Sequence, residues 1–189
     1  MAEQRIRRPF WTGLLHALAL GLVGAGIVHI AILLMLPSYS ERDAWSLLSR
    51  QANYYAAMRL DPPDAAPLIA TLDPLFDAAA CRFDLRDGTL HVTGRGDVPY
   101  WSISVYDRAG QNIFSLNDRS STDGVLDFVV ATPEQMIDLR NALPAEYDRA
   151  VFVEADVDEG IVVVRAFAPD ESWEPTVTRY LSSLNCVSG

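Results

Sequence analysis

The stretch WTGLLHALALGLVGAGIVHIAILLML, residues 11–36, contains no Asp, Glu, Lys or Arg. A helix over this stretch is about 39 Å long at about 1.5 Å per residue, which exceeds the roughly 30 Å hydrocarbon core of a bilayer. The stretch therefore predicts one transmembrane helix, with the lipid bilayer as its partner. It divides the chain into a tail (1–10), the span (11–36), a juxtamembrane helix and proline-rich connector (37–78) and a β-rich domain (79–189).

The charges that flank the span predict its orientation. Arg5, Arg7 and Arg8 precede it, and Glu41 is the first charged residue after it. Because positively charged flanks stay in the cytoplasm, we expect a cytoplasmic tail and an exported domain. A cleaved signal peptide is the alternative, but its apolar core is usually about 7 to 15 residues long, and no A-x-A-like cleavage site follows the span. The sequence favours an uncleaved anchor.

Small side chains recur along the span at intervals of about one helical turn. Such a stripe lets two helices approach closely, so it predicts packing against a second copy or against another envelope protein. Gly and Ala are also common in membrane helices in general, so the stripe alone does not decide between these readings. Its residues are Gly13, Ala17, Gly21, Gly24 and Ala25.

The connector begins with helical spacing and ends in prolines. Ser40 and Glu41 resemble an N-cap and an acidic first turn, which predicts a new, juxtamembrane helix. The segment Asp61-Pro62-Pro63-Asp64 must break that helix, because proline lacks an N–H group and restricts the residue before it. The apolar positions of the predicted helix are Trp45, Leu48, Ala52 and Tyr55.

From Cys81 onward apolar and polar residues alternate, a period of two that is typical of strands. We expect three hairpins, with turns at Asp87-Gly88, at Arg108-Ala109-Gly110 and at Asp158-Glu159-Gly160. A fifth strand covers residues 125–131. Two helices, one capped by Thr132 and one beginning near Ser172, pack on the sheet. The predicted fold class is α+β: an N-terminal transmembrane helix followed by an antiparallel β-sandwich-like domain of about seven strands with two packed helices.

Composition argues against some classes of partner. The chain carries a formal net charge of −10 at pH 7, and the basic tail makes the remainder more acidic still. Nucleic acids and anionic lipid surfaces both bind proteins through clustered Arg or Lys side chains. We therefore expect no nucleic-acid partner.

Residues suited to catalysis, cofactors or metals are scarce. His16 and His29 of the span lie about 140° apart around a helix, so one helix cannot present both to a haem. His91 stands alone in a predicted strand, without the further ligands of a zinc site or the G-x-S-x-G motif of a serine hydrolase. We predict no catalytic, cofactor-binding or metal-binding residue. Because carboxylates are abundant, an envelope hydrolase or a saccharide-binding domain remains the alternative to a binding or scaffold role.

Cys81 and Cys186 are the only cysteines of the chain. Both lie in the part predicted to be exported, where thiols oxidise. A disulfide from the first predicted strand to the end of the last helix is one interpretation, and two separate buried thiols are the other. We favour the disulfide.

The predicted hairpin around residues 100–119 contains a dense group of polar side chains. They are able to form an ordered network that contacts a partner or ligand, although Asp, Asn and Gly are also the residues that ordinary turns require. We treat this hairpin as the candidate interaction surface. Its residues are Trp101, Asp107, Arg108, Asn112, Asn117, Asp118 and Arg119.

Five segments resemble a family of short bacterial membrane proteins that carry domain of unknown function 1254. The segments are AACRFDL (79–85), PYWSISVYDRAGQNIFSLNDR (99–119), VVATPEQM (129–136), VRAFAPDESW (164–173) and the late Cys186. The resemblance implies an N-terminal span followed by a small β-rich domain. In larger relatives a companion, domain of unknown function 1214, follows. The family implies no established activity, so we expect a membrane-anchored periplasmic binding or scaffold protein.

Overall fold

The structure is a computed structural model that describes residues 10–60 and 73–189. The chain forms two compact units, one up to Glu41 and one from Arg42 to Gly189. The described part of the first unit is helical, and helix α1 has the bounds Phe10–Gln51. Within it the segment Trp11–Met35 has a mean hydropathy of 2.4, and none of it is buried. An apolar helix therefore begins the chain, as the sequence predicts.

The structure corrects the predicted juxtamembrane helix. No new helix begins at Ser40, because α1 continues through Pro37 and ends at Gln51. A proline inside a helix costs about 3 kcal/mol and one hydrogen bond, but it does not oblige the helix to end. Tyr55 lies outside the helix with a φ of 55°. Its neighbour Tyr54 instead forms a β-bridge with Arg82, so pairing with the sheet ends the helix before the predicted position.

Nine strands within the described residues form two sheets, which confirms the α+β class. The five-stranded sheet has the order β1-β2-β8-β4-β5, and the four-stranded sheet has the order β7-β6-β3-β9. All pairs are antiparallel except β6 with β7. The strands are Ala57–Arg59 (β1), Phe76–Asp84 (β2), Leu90–Gly94 (β3), Trp101–Asp107 (β4), Asn112–Asn117 (β5), Leu126–Ala131 (β6), Val151–Glu154 (β7), Glu159–Phe167 (β8) and Asn185–Ser188 (β9).

The main core lies between the two sheets. Phe83, Ile103 and Val105 of the five-stranded sheet and Leu90 and Phe128 of the four-stranded sheet belong to one buried cluster. Strand alternation explains this, because every second side chain of a strand points to the same face. The β-sandwich is held together by the burial of these apolar side chains.

A second, smaller core covers the outer face of the five-stranded sheet. Leu48, near the C-terminal end of α1, is buried together with Ala78 and Ala80 of β2 and with Ile161 and Val163 of β8. Strands covered on both faces have no polar side to display, so they are apolar nearly throughout. The helix end thereby explains the continuous apolar pattern of β8.

Only one of the three predicted hairpins forms as predicted. β4 and β5 pair as expected across their turn. The turn at Asp87-Gly88 instead carries the chain from one sheet to the other, because β2 pairs with β8 whereas β3 pairs with β6 and β9. The third predicted hairpin is also wrong, since β7 lies parallel to β6. A turn signal predicts that the chain reverses, but it does not predict which strand becomes the neighbour.

The two predicted helices of the domain are present. Helix α2, Pro133–Asn141, begins with a complete capping box between Thr132 and Gln135. Helix α3, Glu174–Ser182, buries Val177, Tyr180 and Leu181 in the main core. The chain then adds β9, which the sequence does not predict, so Cys186 lies on a strand rather than at the helix end. The other additional strand, β1, lies in the segment predicted as a connector.

Candidate functional site

The turn between β4 and β5 borders an open depression with a volume of about 370 Å³. One carboxylate oxygen of Asp107 accepts a hydrogen bond from the backbone N–H of Gln111 at 2.8 Å, and Gly110 adopts a φ of 79°. These contacts hold the turn and leave the Arg108 side chain 71% exposed. The residues that line the depression are Arg86, Asp107, Arg108, Ala109, Val157, Asp158 and Glu159.

Glu159 is the centre of the polar network in the depression. Its Oε1 accepts a hydrogen bond from Nη2 of Arg86 at 2.9 Å, and its Oε2 accepts one from the hydroxyl of Tyr54 at 3.1 Å. Nη1 of Arg108 lies 4.0 Å from the same Oε1. Both oxygens are thus engaged by donors, and two guanidinium groups face one carboxylate.

Arg86 also connects the depression to strand β2. Its Nε and Nη2 donate to the two carboxylate oxygens of Asp84 at 2.8 and 2.6 Å. This bidentate pair lowers the pKa of Asp84, although partial burial of the carboxyl group acts in the opposite direction. Burial of the Tyr54 phenol, reinforced by its hydrogen bond to Glu159, raises the pKa of Tyr54. The Asp84 carboxyl group is therefore a stronger acid, and the Tyr54 phenol a weaker one, than the free side chains.

Arg82 joins this network to the end of helix α1. It is 8% exposed, and its Nη1 donates to the backbone carbonyls of Ser49 and Ala52 at 3.1 and 3.2 Å. Its Nη2 donates to the hydroxyl of Tyr54 at 2.9 Å. The guanidinium carbon lies 4.2 Å from the ring centroid of Tyr54 and 5.2 Å from that of Trp45. A cation at this position donates hydrogen bonds to carbonyls that have no partner within the helix. Its charge also interacts favourably with the negative, C-terminal end of the helix dipole.

A polar surface continues from the turn along the outer face of β4 and β5. Ser115 donates to Ser104 at 2.9 Å and also bonds with Asn112, and Arg165 of β8 donates to the Tyr106 hydroxyl at 3.2 Å. Burial raises the pKa of Tyr106, but the hydrogen bond and charge of Arg165, with the hydrogen bonds of Ser104 and Asn112, outweigh it. The net effect is a lowered pKa. This half of the sheet face offers hydroxyl, amide and guanidinium groups.

The opposite end of β5 carries the remaining polar residues of the predicted surface. Asn117 caps the short 3₁₀ helix Asp118–Ser120, and the carboxylate of Asp118 accepts from the backbone N–H of Arg119 at 3.0 Å. Trp101 does not belong to the surface. It is 2% exposed, and its indole N–H donates to the carbonyl of Gly124. The first residue of β4 points into the sandwich, so the predicted surface residue is a core residue.

The structure therefore divides the predicted surface between the two ends of one hairpin, about 17 Å apart at about 3.4 Å per residue. Asp107 and Arg108 lie at the depression, and Asn112 lies beside it. Sequence reasoning misses Arg86 and Glu159, which line the depression, and Tyr54 and Arg82, which extend its hydrogen-bond network. They come from separate segments of the chain, and no local motif connects them.

The family model for the protein of unknown function DUF1254 matches residues 58–187. The chain belongs to this family. Within the matched part, β2 to β9 form the sandwich and contribute Arg82, Arg86 and Glu159. No activity is established for the family, so membership supplies the fold and no reaction. No curated protein matches the chain.

Two solved structures are similar to parts of this chain. The VPA0106 protein from Vibrio parahaemolyticus has a TM-score of 0.58 and 14% identity, covering 80% of this chain and 35% of that one. An uncharacterised protein from Burkholderia cenocepacia has a TM-score of 0.46 and 19% identity, covering 72% of this chain and 38% of that one. The first likeness shows the fold alone. The chain spans little more than a third of the length of either protein.

His91 lies on the outer face of the four-stranded sheet of the DUF1254 domain. Its Nε2 lies 2.9 Å from a carboxylate oxygen of Asp127, and its ring meets the Tyr147 ring edge-on at 4.8 Å. These contacts hold the imidazole between Asp127 of β6 and Tyr147 of the 3₁₀ helix Ala145–Tyr147. Across residues 10–60 and 73–189, the structure contains no group of three or more His, Cys, Asp or Glu side chains arranged to hold a metal ion.

Cys81 of β2 and Cys186 of β9 face each other across the main core. Their sulfur atoms lie at bonding distance, and their Cα atoms are 6.6 Å apart. Because β2 and β9 belong to different sheets, a bond here ties the two layers of the DUF1254 domain together. The sequence predicts a bond between the same two cysteines, but it places Cys186 at the end of a helix and not on strand β9.

The small residues of the span face open space. A Cβ atom built on Gly13, Gly21 or Gly24 meets no atom within 4 Å, and Ala17 and Ala25 are exposed. The predicted packing of this stripe against another helix stays a prediction.

Proposed function

We propose that this protein is a single-span inner-membrane protein that displays its DUF1254 domain in the periplasm as a binding or scaffold protein of the cell envelope. The observation that carries the proposal is the exposed apolar helix Trp11–Met35. A contiguous apolar surface of that size is unfavourable in water and favourable in lipid. The arginines of the tail and the acidic remainder support the orientation.

The arrangement at the depression supports binding rather than catalysis. The two oxygens of Glu159 accept hydrogen bonds from Arg86 and Tyr54, so contacts within the domain hold this carboxylate in place. Arg108 and Asp158, in contrast, are exposed and of opposite charge. Exposed groups of both signs beside a half-buried network are suited to a polar protein contact.

The predicted topology gives a direct test. Alkaline phosphatase fused after Gly189 should be active in intact bacteria, because it folds only outside the cytoplasm, while a fluorescent protein at the same position should stay dark after export through the same translocon. The intact mass of the membrane-bound chain should include the span. As a control, replacing Arg5, Arg7 and Arg8 by Glu should reduce phosphatase activity. Activity of the fluorescent fusion alone would show that the domain is cytoplasmic.

The binding role predicts that capture of a partner depends on the hairpin. We expect Arg108→Ala with Arg119→Ala to reduce the amount of co-purified partner at least tenfold from detergent extracts, because both guanidinium groups are exposed at the hairpin ends. Arg95→Ala is the matched control, since Arg95 is exposed elsewhere. The measurement is quantitative mass spectrometry of the purified full chain. Equal recovery from all three proteins, with the span intact or replaced by poly-Leu, contradicts the scaffold role.

Saccharide binding at the depression is the second candidate. The observation in its favour is that Asp107, Asp158 and Glu159 lie together, with Tyr54 beside them and Trp45 stacked under Arg108. Aromatic rings next to carboxylates are typical of sugar sites, which present a few polar groups in an apolar frame. The same purification distinguishes the two roles, because a glycan in place of a protein partner supports the second.

A further inference from the structure

Strand β5 is the least protected edge of the two sheets. Within the described residues the other edges are β1, with three residues, and β7 and β9, with four each. β5 has six residues, Asn112–Asn117, and contains neither a charged residue nor a proline. Soluble proteins protect their edges with short strands, charges, prolines or bulges, because unpaired N–H and C=O groups recruit another strand.

The side chains of β5 leave this edge open as well. The irregularity in its pairing with β4 lies at Val105 and Tyr106, next to the turn, so residues 114–117 remain regular. Phe114 is 36% exposed although its ring contacts Phe128 of the core. A regular and partly apolar edge of this kind is able to accept a further strand.

We propose that β5 pairs with β5 of a second copy of this chain, antiparallel, so that two five-stranded sheets become one. This inference rests on the proposed membrane-anchored binding role and names the partner. The two-fold axis lies at Ser115, which then faces Ser115 of the second copy on the polar side. On the apolar side, Phe114 faces Leu116 of the second copy, and Leu116 faces Phe114 of the second copy. This register matches polar with polar and apolar with apolar side chains over residues 114–116, while Ile113 faces Asn117 of the second copy.

The charges at the ends of β5 favour a second copy as the occupant. Asp107 and Arg108 lie at one end, and Asp118 and Arg119 at the other. With Ser115 on the axis, Arg119 of each copy lies opposite Gln111 of the other copy, whose backbone N–H is bonded to the Asp107 carboxylate. Arg119 therefore lies beside an acid of the other copy, whereas Arg108 stays beside Glu159 of its own copy. Arg119 forms no ion pair in the part of the chain that the structure describes. The strand itself is neutral, which matters because copies with a net charge of −10 otherwise repel each other.

The contact is small, and this predicts where it forms. One strand pair buries less than the roughly 1,200 to 2,000 Å² of a standard interface. Tethering both copies to one membrane raises their effective concentration and compensates for the small area. We therefore expect pairing in the bilayer and little of it in dilute detergent.

Cysteine cross-linking of the full chain in liposomes tests the proposal. Ser115→Cys should form a disulfide-linked dimer under mild oxidation, because directly opposed Cβ atoms lie about 4.5 to 5.5 Å apart and a shift of about 1 Å brings them to the roughly 3.5 to 4.5 Å of a disulfide. Ser182→Cys is the matched control, since Ser182 is exposed on α3. We expect at least tenfold more dimer for Ser115→Cys, read on a non-reducing gel. Equal dimer from both variants, or none from either, overturns the proposal.

A second measurement separates β5 pairing from pairing through the span. Ser115→Lys adds a charge to the edge and should reduce energy transfer between labelled copies in liposomes at least fivefold, whereas Ser182→Lys should not change it. Unchanged thermal melting of Ser115→Lys shows that the fold is intact. If Ser115→Lys leaves the transfer unchanged, the β5 proposal fails. The alkaline phosphatase result does not depend on this outcome, so the two failures are distinguishable.

Discussion

Removal of the bond between Cys81 and Cys186 is expected to lower the free energy of unfolding of the domain by about 4 kcal/mol. The two cysteines are 105 residues apart in sequence and connect strands of different sheets. A cross-link over a loop of about 100 residues restricts the unfolded chain by roughly 4 to 5 kcal/mol when chain entropy governs. That is a large part of the stability of an ordinary domain, which is roughly 5 to 15 kcal/mol.

Urea unfolding of the full chain in detergent, followed by tryptophan fluorescence, measures this effect. Two comparisons separate the covalent link from packing. Reduced wild-type protein keeps both sulfur atoms and loses only the bond, while Cys81→Ala with Cys186→Ala also loses buried volume. We expect reduction to account for most of the change and the double variant to be slightly less stable again. If reducing agent leaves the urea midpoint unchanged, the two thiols are separate.

The elements that the sequence predicts correctly have their signals within a few residues. The capping box of α2 needs only Thr132 and Gln135, and the apolar stripe of α3 needs one short segment. The hairpin of β4 and β5 forms because a tight turn joins two alternating strands. Such local patterns depend on backbone geometry, which a sequence displays directly.

Strand order and the depression depend on contacts that no local pattern contains. The alternation of β2 shows which side chains face the core, but not that β8 becomes its neighbour. Tyr54 and Glu159 meet because the segment after α1 and the first residue of β8 are brought to the same end of the sheet. Trp101 fails as a surface residue for a different, local reason, since it shares the inward face of β4 with Ile103 and Val105. Sequence reasoning thus finds half of the site, the half that lies on one hairpin.

The second large effect is expected at Arg82. Replacing it by Met should lower the free energy of unfolding by about 3 kcal/mol, because the carbonyls of Ser49 and Ala52 lose their donor in a buried place. Leaving a buried polar group without a partner costs roughly 1 to 3 kcal/mol. The change also removes the cation that lies over the Tyr54 ring at 4.2 Å. Met keeps much of the buried stem, so the loss reports on the guanidinium group rather than on a cavity.

A matched substitution and a conservative one define how Arg82 acts. Arg95→Met removes an exposed guanidinium and should change stability by less than about 0.5 kcal/mol. Arg82→Lys keeps the charge but lacks the planar guanidinium that reaches both carbonyls and the Tyr54 hydroxyl at once. It should therefore be more stable than Arg82→Met but less stable than the wild type. Urea unfolding gives the stabilities, and hydrogen exchange of the last turn of α1 gives the location. If exchange there is unchanged in Arg82→Met, the guanidinium does not hold the helix end to the sheet.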